Sequence, residues 1–207
     1  KLMKEELLDL IVAYSKGDLS KEDVIEGHGE MTMDFLELYI NDSNSSTLRE
    51  AITCKVLGLD FTGKKLGYDS KYTNEEIKPR NAQTSATKIL DGWGNYSDLT
   101  WRRHNKYIND DVIVHVSGFV DGLLMYIVKF KYVDLAPYFQ VMLERDLPDG
   151  DQKHKYVRTA WFTYTNIKDL PSFEIEFIRG NISDFEYKFR KDLFNDLTLH
   201  NANIPTV

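Results

Sequence analysis

Gly67-Tyr68-Asp69-Ser70-Lys71-Tyr72-Thr73-Asn74-Glu75-Glu76-Ile77-Lys78-Pro79-Arg80-Asn81 sets two acids and a lysine close together. If the chain doubles back at Tyr72-Thr73, Asp69 and Glu76 lie opposite each other on two antiparallel strands. Glu76 and Lys78 are two apart, so a strand points both to one face. Two carboxylates and an ammonium on one face are costly unless something binds there. A hard divalent cation such as magnesium fits, because it takes oxygen ligands and keeps several waters for a reaction. A plainer reading stays open: Glu-x-Lys on an exposed strand is commonly a solvated ion pair, and Asp69 can be a turn residue.

Working back from this stretch, residues 3–14 carry Met3, Leu7, Leu8, Leu10, Ile11 and Tyr14 at helical spacing, and Gly17 ends that helix. Ser20 with Asp23 marks the start of a short helix through Ile25, broken by Gly27-His28-Gly29. An amphipathic helix is predicted over 30–40, a polar loop over 41–47, and further helix over 48–57. From Leu59 the texture turns to strand. Residues 59–62, the turn signal Gly63-Lys64-Lys65, 66–70 and 75–79 read as short antiparallel strands, the last ended by Pro79.

Working forward, residues 81–99 are polar and glycine-containing, too irregular for an element. Residues 100–109 read as helix. Residues 112–118 and 123–132 form two arms of a hairpin around Val120-Asp121-Gly122. A helix follows over 134–145 with Pro137 in its first turn. Strands are predicted over 156–165 and 173–177, and helix over 185–199. No repeat, low-complexity tract or linker interrupts the chain. The expected architecture is one α+β domain over 1–207, a central mixed sheet flanked by helices.

Composition bounds the function. The 207 residues are 42% hydrophobic and 13% aromatic, enough for one sizeable core and too rich for disorder. The formal net charge of -7 disfavours a nucleic-acid partner, since phosphate binding is driven by positive charge. Basic residues nonetheless cluster at Arg102, Arg103, His104 and Lys106 and at Lys153, His154, Lys155 and Arg158. A single cysteine, Cys54, excludes an internal disulfide or a cysteine zinc site and reads as a buried thiol. No apolar run is long enough to span a bilayer and no secretory leader pattern opens the chain, so a cytoplasmic, membrane-free protein is expected. There is no Walker loop, dinucleotide fingerprint or serine-hydrolase elbow, so no nucleotide cofactor is expected.

The order helix, strand with Asp69, strand with Glu76-Ile77-Lys78, helix, strand resembles the PD-(D/E)xK nuclease superfamily, the restriction-endonuclease-like fold. The resemblance covers about residues 30–131. It implies Asp69 and Glu76 as the acids that hold magnesium, with the backbone carbonyl of Ile77, and Lys78 as the lysine that positions the attacking water. Tyr68 stands where the family has proline. Asp60 offers the longer acid-to-acid gap usual in the family, whereas Asp69 is favoured by the tight hairpin. In this fold a glutamate from the preceding helix sometimes joins the metal, and Glu30 and Glu37 are the candidates.

Arg80, Asn81, Gln83, Thr84 and Lys88 follow the motif, then Trp93, Asn95 and Tyr96. Asn and Gln pair with adenine and Arg or Lys with guanine, while aromatic rings stack on or wedge between bases. An ordered loop with its tryptophan tucked into the core would look similar. Arg102 and Arg103, on the helix that Trp101 anchors, face phosphates or plain solvent. The function implied is a magnesium-dependent, sequence-specific double-stranded DNA endonuclease of type II restriction type, acting as a homodimer. A non-catalytic nucleic-acid-binding module of the same fold and a repair or junction-resolving nuclease are the alternatives.

Overall fold

The computed structural model describes residues 4–63 and 67–203. Met3, Lys64, Lys65 and Leu66, included in the first helix, the turn signal and the 66–70 strand, lie outside them. Four helices come first: α1 (Lys4–Lys16), α2 (Lys21–His28), α3 (Glu30–Asn41) and α4 (Ser46–Val56). Then follow β1 (Glu75–Ala82), β2 (Gly94–Leu99), α5 (Trp101–Asn109), β3 (Ile113–Val120), β4 (Leu123–Lys131) and α6 (Tyr132–Asp146). The chain closes with β5 (Val157–Phe162), α7 (Tyr164–Ile167), β6 (Glu174–Ile178), a 3-10 helix (Ile182–Lys188) and α8 (Lys191–Ala202). This is the expected α+β architecture: a mixed four-stranded sheet in the order β1-β3-β4-β6, flanked by helices, with β2 and β5 paired as a separate ribbon.

The β3–β4 hairpin forms at its turn signal. Asp121 and Gly122 take φ of 48° and 77°, the paired left-handed backbone that an Asp-Gly turn supplies. A Cβ on Gly122 would stand 2.6 Å from the Ile40 carbonyl oxygen, so the turn closes against the end of α3. β3 and β4 are the most buried strands, with Val114, Val116, Val128 and Phe130 packed towards α6 and the β2–β5 ribbon. Phe119, Leu124 and Ile127 pack the other way, against Ile52 of α4. Burying about 25 cal/mol per Å² of apolar surface on both faces drives this assembly.

Five local expectations are corrected. The antiparallel strands over 59–62 and 66–70 reduce to one isolated bridge between Phe61 and Ser70. β1 is not ended by Pro79 but runs on to Ala82, paired in parallel with β3. It is an edge strand, and the Ile77 N–H points away from β3 to the Asp69 carboxylate at 2.7 Å. Pro79, two residues on, faces the same open edge, where its missing N–H costs no ladder bond. The 81–99 segment contains β2, a strand hidden by polar residues because its partner is β5 rather than a neighbour in sequence. Pro137 sits in the second turn of α6, not the first, because the helix begins at Tyr132. The 156–165 strand likewise stops at Phe162, where Thr163 caps α7 with a reciprocal capping box.

Candidate active site

The free edge of β1 is where the motif residues meet. Glu76, Lys78 and Arg80 alternate onto the face of the sheet that carries their partners Val114, Val116 and Gly118. Lys78 Nζ lies 3.4 Å from Glu76 Oε2 and 4.3 Å from the centre of the Tyr96 ring. The lysine is thus held between a carboxylate and an aromatic face. Asp69 reaches this edge without a strand of its own. Its backbone N–H donates to the Glu75 carbonyl at 3.1 Å and its side chain accepts from Ile77 N–H. The expected antiparallel register of Asp69 against Glu76 is therefore replaced by a loop that brings the Asp69 carboxylate to the strand edge.

A third carboxylate joins from α4. Burial pushes the Glu50 carboxyl up from 4.5 to about 7, with Asp69 and Glu76 adding repulsion and Lys78 opposing it. Glu76 is itself raised, first by burial, against the pull of Lys78 and with Asp69 adding to the rise. Burial is the largest cause for both acids; neighbouring carboxylates add to the rise and Lys78 opposes it. Glu50, rather than Glu30 or Glu37, is the helix glutamate whose charge bears on Asp69, Glu76 and Lys78. Glu30 is exposed on α3, and Glu37 pairs with Lys21 at 2.9 Å. Asp60 is exposed and its carbonyl accepts from Lys71 N–H, so the site is built on Asp69.

These residues fit a magnesium ion. Glu50, Glu76 and Asp69 offer the oxygen donors that such an ion takes. The Ile77 carbonyl shares the open edge with its own N–H, since both point the same way along a strand. Among the described residues no three His, Cys, Asp or Glu side chains stand ready-made as a metal centre. Magnesium commonly uses one or two carboxylates and keeps its waters.

The neighbouring polar segment divides in two. Asn81 donates to Asn41 Oδ1 at 3.1 Å and accepts from Gly122 N–H at 2.9 Å. Gln83 donates to the Asn41 carbonyl, and Thr84 makes two bonds to the Asp121 carboxylate. These three, read as base contacts, instead lock the end of α3 to the β3–β4 turn. Tyr96, read as a stacking residue, is fully buried, packed 5.2 Å from Tyr107 and 5.5 Å from Tyr132 between ring centres. Its role at the site is to floor Lys78. Asn95 is half-buried on β2 and donates to Ser97. Arg103 is consumed by the Ser97 and Asp98 carbonyls and the Tyr107 hydroxyl, while Arg102 is exposed. Arg80, Lys88 and Trp93 remain together in a pocket between the start of α4 and the end of β1.

On the opposite face of β1, His115 is clamped between Glu75 at 2.8 Å and Glu176 at 2.6 Å. Burial pulls its pKa down, yet the two carboxylates outweigh this and raise it. It is a satisfied core histidine. Cys54 is a buried thiol pushed up to about 12, first by burial and then by Asp69. Among the described residues no helix is long and apolar enough to cross a membrane.

Sequence reading missed Glu50 and its neighbour Arg49. The available signal was a charged pair inside the run Leu48, Ala51, Ile52, Cys54, where a helix burying its apolar face carries its polar pair to the rim. No protein-family model matches the chain, and no curated protein matches it either.

Proposed function

We propose that this protein is a magnesium-dependent endonuclease that hydrolyses phosphodiester bonds in double-stranded DNA at specific sites, working as a homodimer. The carrying observation is the meeting of Asp69, Glu76, Lys78 and Glu50 at the free edge of one strand, two of the acids held above their usual range. A structural ion pair would need one acid for one lysine. Three acids around one ammonium are an arrangement that a divalent cation completes.

Each residue has a task. Glu76, Asp69 and Glu50, with the Ile77 carbonyl, would hold the ion. When bound, magnesium supplies Lewis acidity, activating the attacking water and drawing charge from the phosphoryl oxygens. Lys78 is positioned in advance by Glu76 and the Tyr96 ring, so its N–H groups can orient the water and stabilise charge developing on phosphate without reorganising. Pro79, on the same open edge, keeps that edge from pairing with another strand. The products would be a 5′-phosphate and a 3′-hydroxyl.

The test is digestion of a defined plasmid with and without magnesium. Discrete magnesium-dependent fragments are expected. Lys78→Ala and Glu76→Ala should each lower the cleavage rate at least about 100-fold while the protein stays folded and still binds DNA. Cleavage at the wild-type rate by either variant sinks the assignment.

A further inference from the structure

We propose that the pocket between the N-terminus of α4 and β1 is a phosphate subsite, taking a backbone phosphate of the strand that flanks the scissile bond. This deepens the nuclease reading and rests on it for the identity of the ligand. The pocket has a volume of about 330 Å³ and is lined by Ser46, Arg49, Arg80, Lys88 and Trp93 among others.

Four observations converge on an anion. Arg49 is only 4% exposed, yet among the described residues its Nε has no hydrogen-bond partner. Its Nη1 is spent on the Ile40 and Asp42 carbonyls, which fixes the guanidinium in place. Arg80 Nε is likewise buried and unpartnered, with Asp91 at 3.9 Å as its nearest countercharge and the Trp93 ring centre 4.6 Å from its Cζ. Lys88 is held below its ordinary pKa by burial and by the charges of Arg80 and Arg49, against the weaker pull of Asp91. Three cations therefore line the pocket, with Asp91 beside Arg80 and with Asp42 and Glu50 acting on Arg49 from outside the lining.

The helix end adds to this. The N-cap residue of α4, Ser45, makes no side-chain capping bond, and its first turn carries no acid. The N-terminal N–H groups and their dipole therefore face the pocket without an internal anion. α5 differs: Asp151 already accepts from the N–H groups of Trp101 and Arg102.

The pocket lies on the same elements as the acids. Arg49 precedes Glu50 on α4, and Arg80 follows Glu76 by four residues on β1, about 13 Å at strand rise. That separation assigns the pocket to a flanking phosphate rather than the scissile one. A chain this acidic would hold a polyanion only where its cations are concentrated and fixed, as they are here.

The experiment measures DNA binding without turnover. A duplex oligonucleotide is titrated with calcium replacing magnesium, at graded salt, against wild type and the double variant Arg80→Gln/Lys88→Gln. Both side chains lie at the pocket's rim, and the melting temperature checks the fold. The expected result is at least a tenfold weaker affinity, irrespective of sequence, with the log–log salt slope shallower by about 2, one for each lost phosphate-pairing cation. An unchanged slope overturns the proposal. Inorganic phosphate titrated by calorimetry separates the sources. Tight binding of free phosphate that oligonucleotide fails to displace overturns the assignment to a strand. If the slope falls but no metal supports cleavage, the subsite stands and the nuclease reading fails. Cleavage with an unchanged slope gives the reverse.

Discussion

Glu50 shows how much a single side chain's surroundings decide. In solution it is an ordinary carboxylate; beside Asp69 and Glu76, and partly buried, its pKa rises to about 7. An acid whose folded pKa exceeds its unfolded value contributes stability below the unfolded value that is lost as pH rises through the folded one. Without metal, Glu50 therefore weakens the fold between about pH 4.5 and 7. Glu50→Gln should remove that dependence and stabilise the metal-free protein at pH 8, on the order of 1 kcal/mol after discounting for its partial exposure. Denaturant melts at pH 5 and 8 check this. The same variant should raise the magnesium concentration needed for half-maximal cleavage by about 10- to 100-fold. His115 titrates with a similar sign but for another cause. Its folded pKa is raised above 6.5 by Glu176 and Glu75, so its contribution is full below 6.5 and is lost as pH rises through the folded value. His115→Ala should cost about 3 kcal/mol at pH 6, because it takes the shared partner from the buried Glu75 and the half-buried Glu176. NMR titration of the His115 ring gives the direction of the shift independently.

At the scale of elements, β1 concentrates function because it is an edge. Every second N–H and carbonyl of an edge strand lacks a ladder partner, and here those groups meet Asp69 and the proline. The motif's i, i+2 spacing was legible in sequence, since side-chain alternation on a strand depends on the strand alone. The location of Asp69 was legible only as proximity in the chain. Its real support is a loop closed by bonds to Glu75, not a second strand. The donors at and just beyond the end of β1 could be read as base contacts because an Asn can serve a base or a backbone equally well. Asn81 serves the backbone, tying α3 to the β3–β4 turn through Asn41 and Gly122. Asn81→Ala should therefore lower stability by about 1–3 kcal/mol in chemical denaturation. It should change sequence preference in cleavage no more than a generally weakened fold would. A selective loss at one base position would restore the base-contact role.

At the scale of the molecule, four helices precede the sheet; α1 and α4 pack one side of it with α2 and α3 stacked on α1, while α6 and the β2–β5 ribbon cover the other. The candidate site sits where α4 and β2 converge on the uncovered edge, so it draws on segments far apart in sequence. The proposed cleavage of both strands of a symmetric site calls for two such edges related by a two-fold axis. Sedimentation at micromolar concentration is expected to give twice the mass of one chain. Diluted below the dimer's dissociation constant, cleavage per protomer should fall with concentration. A monomer that cuts both strands in one encounter would contradict this.

The sequence by itself determined the α+β class, the β3–β4 hairpin with its Asp-Gly turn, the helix at Trp101 and the common face of Glu76 and Lys78. Those features follow from local rules: periodicity, turn backbone and capping depend on residues a few positions apart. Only the tertiary structure decided that β2 exists, that Tyr96 floors Lys78, that Glu50 rather than Glu30 or Glu37 feels the charges of Asp69 and Glu76, and that Arg49, Arg80 and Lys88 share one pocket. Each of these is a meeting of segments tens of residues apart. Burial and the field of neighbouring charges then set what the side chains can do, and neither quantity exists until the chain has folded.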